Sequence, residues 1–446
     1  MAKKFGRRAL AALLVYLVLG ALLPYVRHRE ARELPASETW QDERVLYVKT
    51  NEEALTWRLR LIESAREELI LSTFDFRADE AGGDLLAALG AAADRGVQVW
   101  VLVDGGNGQA HFSWEPEVRA LAARENVQIR LYNPFDLLRP WSFNPRLHDK
   151  YLLADGKAYL LGGRNTNDLF LGEMGPGSSE DRDLLIWREA AEGGTPQALK
   201  DYFEGIWDLP CNRAVKGKAA PGLLEQRYQT LRQRRPEGFT ETNWRESTLE
   251  TRGVALICGS PLPENKPPLV WKQLRDRMEK GQDVLIQTPY IICGGEMYRD
   301  LADLSQGRSL IIATNAVESG LNPWGCADFL NQKGKILKTG VTVRALAGTH
   351  SVHTKSVLID DDISIVGSYN LDMRSTYLDT EMMVAVDCPA LNRQLREEVE
   401  AVPSRTFHPD GSVTESPDCP EAGLPLGKRV VYGLLQILTP PFRFLL

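Results

Sequence analysis

His148-Asp149-Lys150-Tyr151-Leu152-Leu153-Ala154-Asp155-Gly156, followed by Gly162-Gly163-Arg164-Asn165, returns 205 residues later. The second copy is His353-Thr354-Lys355-Ser356-Val357-Leu358-Ile359-Asp360-Asp361, followed by Gly367-Ser368-Tyr369-Asn370. In both, lysine stands two positions after histidine, aspartate seven and asparagine seventeen. Four polar residues matched twice in one frame describe an internal repeat. Two histidines with two lysines suit attack on a phosphodiester, with imidazole as the nucleophile and ammonium groups holding the phosphate charge.

Leu147 to Ala154 reads as a β-strand, and side chains two apart on a strand share a face. His148 therefore points with Lys150, and His353 with Lys355. Asp155-Gly156 is a hairpin signal, and Asp360-Asp361-Asp362 is a turn of the same kind. Asp155 and Asp360 are accordingly read as structural. Gly162, Gly163, Gly367 and Ser368 end the returning strands, where missing or small side chains let backbone come close to a ligand. Asn165 and Asn370 return level with the histidines and could donate an amide hydrogen to a phosphate oxygen.

A neutral histidine needs an acceptor on its second ring nitrogen before it can attack. Asp183 stands before the apolar run Leu184–Trp187 and Glu381 before Met382–Val386. The matched patterns pair Asp183 with His148 and Glu381 with His353. Asp181 is a close rival for Asp183.

The repeat extends outward from the motifs. Buried-strand runs occur at Glu68–Phe76 and Asp283–Ile291, after helices at about 52–66 and 268–279. Val97–Asp104 matches Ser309–Asn315, and Val127–Tyr132 matches Val341–Leu346. Helical stretches alternate with these runs, so the expected architecture is two α/β domains of like topology with mixed, largely parallel sheets. A pseudo-twofold axis would relate them. Asp104 and Asn315 end matched strands, where they either touch substrate or cap the next segment.

The expected layout is an N-terminal anchor at 1–33 and a first domain at 34–211. A polar connecting segment at 212–252 follows, with a helical part at Leu223–Arg234. The second domain spans 253–403, and an irregular tail at 404–446 ends in an apolar segment. In the anchor, Lys3, Lys4, Arg7 and Arg8 precede an uncharged run from Ala9 to Val26. Eighteen helical residues reach about 27 Å, close to a bilayer core. No small-residue cleavage site follows and no cysteine stands there to take a lipid, so a retained anchor is expected over a cleaved signal peptide. The basic flank favours a cytoplasmic N-terminus, although Arg27, Arg29 and Arg32 lie on the other side. Val430–Leu446 carries one charge, Arg443, and is broken by Pro440-Pro441. It suits either an interfacial segment or a tail packed on the protein.

The net charge of −7 over 446 residues argues against a general nucleic-acid binder. The six cysteines form no C-x-x-C pair, which argues against a zinc ribbon or thioredoxin-like site, while disulfides stay open. His28, His111 and His408 fit no pattern and read as surface residues.

The doubled H-x-K-x4-D-x6-G-(S/G)-x-N signature resembles that of the phospholipase D superfamily. Within it the chain is similar to the bacterial cardiolipin synthases of the C-type branch. Gly367-Ser-Tyr-Asn-Leu-Asp-Met-Arg-Ser375, Asp379-Thr-Glu-Met382, Asn133-Pro-Phe135 and Thr288-Pro-Tyr290 carry that likeness, which covers about residues 45–395. The resemblance implies a single active site at the domain interface, a covalent phosphohistidine and neither metal nor cofactor. It implies His148 as nucleophile and His353 as acid and base, with Lys150, Lys355, Asn165 and Asn370 on the phosphoryl oxygens. Gly163 departs from the serine usual at its position, so the two half-sites need not be equivalent. The activity implied is phosphatidyl transfer from phosphatidylglycerol to a second lipid alcohol, within a membrane. A phospholipase D using water as acceptor is the near rival, a nuclease a more distant one and a non-catalytic lipid binder the last.

Overall fold

The apolar runs pair into two nine-stranded sheets in this computed structural model, which describes residues 2–27, 40–190 and 193–446. The expected boundary at 33/34, and His28, Arg29 and Arg32, lie outside the described residues. In the first sheet Glu68–Thr73, Gln98–Asp104 and Val127–Tyr132 run parallel. Tyr151–Ala154, Ala158–Gly162, Asp183–Trp187 and Arg44–Val48 extend it antiparallel from the Glu68–Thr73 side. The second sheet repeats the plan. Asp283–Gln287, Ser309–Asn315 and Thr342–Leu346 are parallel. Ser356–Ile359, Ile363–Gly367, Met382–Asp387 and Gly253–Cys258 extend it antiparallel. The repeat seen in the residues is thus a repeat of topology.

Each half has its own apolar core under its helices, and a third cluster draws from both halves. Ile70, Leu102, Leu153 and Leu184 meet Val254, Leu285, Leu358 and Val384 in it. The domains are therefore fused through buried apolar surface, which resists separation.

The stretch 212–252 is woven into the first half. Arg213–Ala214 pairs with Val127–Tyr132, Leu249–Glu250 pairs with Arg44–Val48, and the helix Leu223–Arg234 lies between them in sequence. That helix packs on the helix Glu80–Asp94, where Arg227 and Arg234 both pair with the buried Asp84. The stretch 404–427, expected to be irregular, instead adds two edge strands to the second sheet, Ser404–Phe407 and Val413–Glu415. Gly411, at φ 87°, provides the left-handed step in the turn between them. All six cysteines are free thiols.

One N-terminal helix, Ala2–Leu22, is long and apolar enough to be a membrane anchor. Its window Arg8–Tyr25 has a mean hydropathy of 1.8 and is only 6% buried. The C-terminal run forms the helix Leu426–Leu438 and a 3-10 turn at Pro440–Leu445. Phe444, Leu445 and Leu446 pack against the second core.

Candidate active site

The first motif strand begins at Tyr151 rather than Leu147, and the second at Ser356, so both histidines and both lysines sit just ahead of a sheet. The chain stays extended there, and the alternation expected for a strand survives. Asp149 turns the other way, accepting from Ser72 Oγ at 2.7 Å and Tyr202 Oη at 3.0 Å. The motif aspartates close the far end of each hairpin. Asp155, at φ 51°, accepts from the N–H groups of Arg66, Glu67 and Glu68. Asp360, at φ 47°, does the same for Gln282 and Asp283. Aspartate tolerates this left-handed backbone better than most residues, and its carboxylate ties the turn to the neighbouring strand.

Backbone from one half pins the histidine of the other. Ser351 and Val352 pair in parallel with Ser179 and Glu180, and His353 N–H donates to Glu180 O at 2.7 Å. In the mirrored place Leu147 bridges Thr380, whose N–H donates to Arg146 O at 2.9 Å. Thr380 Oγ1 accepts from His148 N–H, also at 2.9 Å. Asp104 and Asn315 hold the residues just before the histidines. Asp104 accepts from Leu147 N–H at 3.1 Å and caps the helix Gly105–His111, while Asn315 accepts from Val352 N–H at 2.8 Å.

This seam crosses the orienting carboxylates. His148 Nδ1 lies 2.8 Å from Glu381 Oε1, and His353 Nδ1 lies 2.6 Å from Asp181 Oδ2. The pairing expected from sequence, Asp183 with His148 and Glu381 with His353, is corrected on both counts. Sheet register gives the reason. Gly162 faces Asp183 in the first sheet, whereas Gly367 faces Met383 in the second. Asp183 thus corresponds to Met383, and Asp181 to Glu381. Asp183 is fully buried against Arg58 at 3.0 Å and Arg164 at 3.4 Å, an ion-pair network beneath the site.

The half-sites differ where Gly163 replaces the serine. Ser368 Oγ donates to Glu381 Oε2, and Ser375 Oγ to Oε1 at 2.5 Å. A Cβ at Gly163 would run into the Asp181 carboxylate. Asp181 instead accepts from Arg182 N–H at 2.8 Å, and Arg164 clamps its carbonyl. A short carboxylate beside glycine and a long one beside serine are two solutions to the same spacing.

Burial sets the electrostatics. It pushes His148 well below the usual histidine value, with the Lys150 charge adding to the effect. It pushes His353 down to about 4, with Lys355 adding and Asp181 opposing. Glu381 is driven well above the carboxylate range by burial, against Lys150 and the serine hydrogen bonds. Burial also acts on Asp181, but Lys355 and the bond from His353 outweigh it and hold Asp181 below that range. Lys150 is lowered by burial, and Lys355 is lowered to about 7 by burial and by the Lys150 charge. Each lysine bears electrostatically on the other half's histidine, so the two motifs share one site.

Lys150 Nζ reaches His148 O at 2.5 Å, and Lys355 Nζ lies 2.9 Å from His353 Nε2. The Oδ1 atoms of Asn165 and Asn370 are buried without a hydrogen-bond partner. An amide's oxygen and nitrogen are assigned by their surroundings, so either end of these side chains can meet a ligand. Phe74 edges onto the His148 ring at 5.1 Å and Phe170 onto the His353 ring at 4.9 Å, closing the site with apolar walls.

Sequence reasoning missed Thr380, Ser375, Phe74, Phe170 and Lys266. The last is 2% exposed, its ammonium has no hydrogen-bond partner, and burial lowers it to about 8 against the charges of Asp379, Asp149 and Glu381. Its loop, Gly259–Pro268, is an insertion that the first half lacks, because Asn51 starts a helix soon after Val48. No repeat-based argument could have found it.

A profile of the family described as cardiolipin synthase, PLD-like domain, matches residues 59–207 and 274–402, more than half of the chain. Cardiolipin synthase C of Escherichia coli K12 is 26% identical over 399 residues, covering 76% of this chain and 80% of that one. The major cardiolipin synthase ClsA of Bacillus subtilis 168 is 26% identical over 331 residues, covering 72% and 61%. An uncharacterized protein of Helicobacter pylori J99 is 23% identical over 405 residues, covering 80% and 78%. The crystal structure of phosphatidylserine synthase from Haemophilus influenzae Rd KW20 shares the fold, with a TM-score of 0.62 at 15% identity. It covers 96% of this chain and 100% of that one. The chain thus belongs to the cardiolipin synthase, PLD-like domain family, present here as two copies of the domain.

Proposed function

We propose that this protein is a phosphatidyltransferase that makes cardiolipin from phosphatidylglycerol and a second lipid alcohol. The observation that carries the reading is the pair of histidines in one buried site, each with a carboxylate from the opposite half on Nδ1. With Nδ1–H fixed, Nε2 of each ring carries the lone pair that attacks phosphorus or takes a proton. His148 Nε2 attacks the phosphodiester, and the bond from phosphorus to the leaving glycerol oxygen breaks. The bound phosphodiester anion favours the charged form of His353, which takes up a proton at Nε2 and delivers it to that oxygen. His353 then takes the proton of the acceptor hydroxyl, whose oxygen displaces His148 from phosphorus.

The asymmetry of the carboxylates supports these roles. Asp181, held in its ionised form, suits the histidine that must carry a positive charge. Lys150, Lys355, Asn165 and Asn370 hold the non-bridging oxygens, most strongly as charge builds in the transition state. The cardiolipin synthases among its relatives support phospholipids as substrates. The Ala2–Leu22 helix supports attachment to the membrane, with Lys3, Lys4, Arg7 and Arg8 on the cytoplasmic side and the catalytic halves outside.

Lipid analysis after expression in a host without cardiolipin tests the reading. Cardiolipin is the expected product. Phosphatidic acid alone would mean that water is the acceptor and overturn the synthase reading.

A further inference from the structure

The loop 133–145 leads from the parallel strand Val127–Tyr132 to the first motif. It is apolar and exposed where a soluble protein would place polar residues. Leu137 is 63% exposed and Leu138 79%, with Phe135 and Trp141 nearly half exposed. It lies along the N-terminal helix and is bonded to it. Tyr16 Oη donates to Leu138 O at 2.7 Å, Tyr25 Oη donates to Trp141 O, and Asn144 Nδ2 donates to Ala21 O at 2.5 Å. Pro140 packs on Gly20. Tyr16 and Tyr25 are nine residues apart, about 14 Å of helix, or roughly half the thickness of a hydrocarbon core.

Backbone at that depth must find its hydrogen bonds within the protein. The N–H groups of Leu138, Arg139, Ser142 and Phe143 are all taken up inside the loop. Pro134, Pro140 and Pro145 bring none. The helix tyrosines take the carbonyls of Leu138 and Trp141. Asp136 and Arg139, the only charges between Pro134 and Pro145, neutralise each other at 2.9 Å.

The other end of the chain meets the base of this loop. Arg374 NH2 donates to Asn144 O at 2.6 Å, while Arg374 also donates to the carbonyls of Leu445 and Leu446. The C-terminal helix before them exposes an apolar stripe of Leu426, Val430, Leu434 and Ile437, whose spacing of three and four puts them on one face.

We propose that the loop 133–145 dips into the bilayer leaflet beside the N-terminal helix. The outer face of Leu426–Leu438 rests on the same leaflet. The occupant of this surface is lipid, because the loop is bonded along a helix long and apolar enough to enter the bilayer. The loop ends three residues before His148, so the route from the acyl region to the candidate nucleophile is one short segment of chain. The inference deepens the proposed function by naming the face through which a lipid would enter.

Nitroxide labels on the full-length chain test it, in vesicles of phosphatidylglycerol and phosphatidylethanolamine. Leu138→Cys, Ile437→Cys and a control, Val413→Cys on the far edge strand, are made in a Cys419→Ser background. Relaxation by oxygen, which concentrates in lipid, is compared with relaxation by a water-soluble nickel chelate. At Leu138 and Ile437 the oxygen-to-nickel ratio is expected to be severalfold above that at Val413. A ratio equal to the control would overturn the proposal. Shielding from both reagents would overturn it too, in favour of a protein occupant. The measurement needs no turnover, so a failed lipid assay and a failed docking surface remain separate results.

Discussion

At the residue scale, two aspartates two positions apart have opposite work. Asp181 faces a histidine ring, and Asp183 faces two buried guanidinium groups. Asp181→Asn turns an ionised acceptor into an amide that can present a donor to Nδ1, the wrong partner for a histidine that must keep its Nδ1 proton. Turnover is expected to fall by about 10²–10⁴-fold, the scale of a lost acid–base group, with a smaller loss of stability than at Asp183 because Lys355, already lowered to about 7, can give up its charge. Asp183→Asn leaves Arg58 and Arg164 without their counter-charge, and the loss expected is of stability, by about 3–5 kcal/mol. Urea unfolding and steady-state phosphatidyl transfer, measured on both variants, separate the two.

Lys355 gives a second prediction at this scale. Its folded value near 7 means that the ammonium form is lost as pH rises through neutrality. The free enzyme then meets an anionic phosphodiester with one cation fewer. The ratio kcat/KM is expected to decline on the alkaline side of about pH 7, while kcat, which reports the complex, holds to higher pH because bound phosphate favours the charged lysine. A Lys355→Arg profile without that alkaline limb would assign it to this residue.

At the scale of the element, the hairpin turns separate structure from chemistry. Asp360→Ala removes two backbone hydrogen bonds and places alanine at a positive φ. Together these should cost about 2–4 kcal/mol, visible in the denaturation midpoint, while the remaining folded enzyme keeps its kcat.

Much of this level was legible in the residues. Apolar runs, hairpin signals and a shared frame located the strands, because burial and turn geometry are local. The seam was not. Which carboxylate meets which histidine depends on parallel bridges between Leu147 and Thr380 and between Val352 and Glu180, contacts that no local pattern encodes. The repeat tempted a pairing within each half, and a frame two residues off on one side hid Asp181 behind Asp183. The tail after residue 403 was misread for a related reason. Its strands are three or four residues long, too short to signal themselves without the sheet edge they join.

At the scale of the whole molecule, the two halves frame one candidate site within one chain. Mixing a His148→Ala protein with a His353→Ala protein should restore no activity, because each intact half would still face a disabled one. Recovery of turnover in the mixture would mean that halves exchange between chains.

The crossing of the carboxylates also bears on the chain while it is being made. The first half emerges with His148 in place but with nothing to fix its tautomer, since Glu381 is still 233 residues away. Until the second half folds against it, the imidazole has neither its acceptor nor the second histidine. A protein whose N-terminal helix reaches the bilayer before the rest is complete would thus sit among phospholipids without attacking them. Under the proposed roles, reactivity is expected only once the two halves have packed together along the seam.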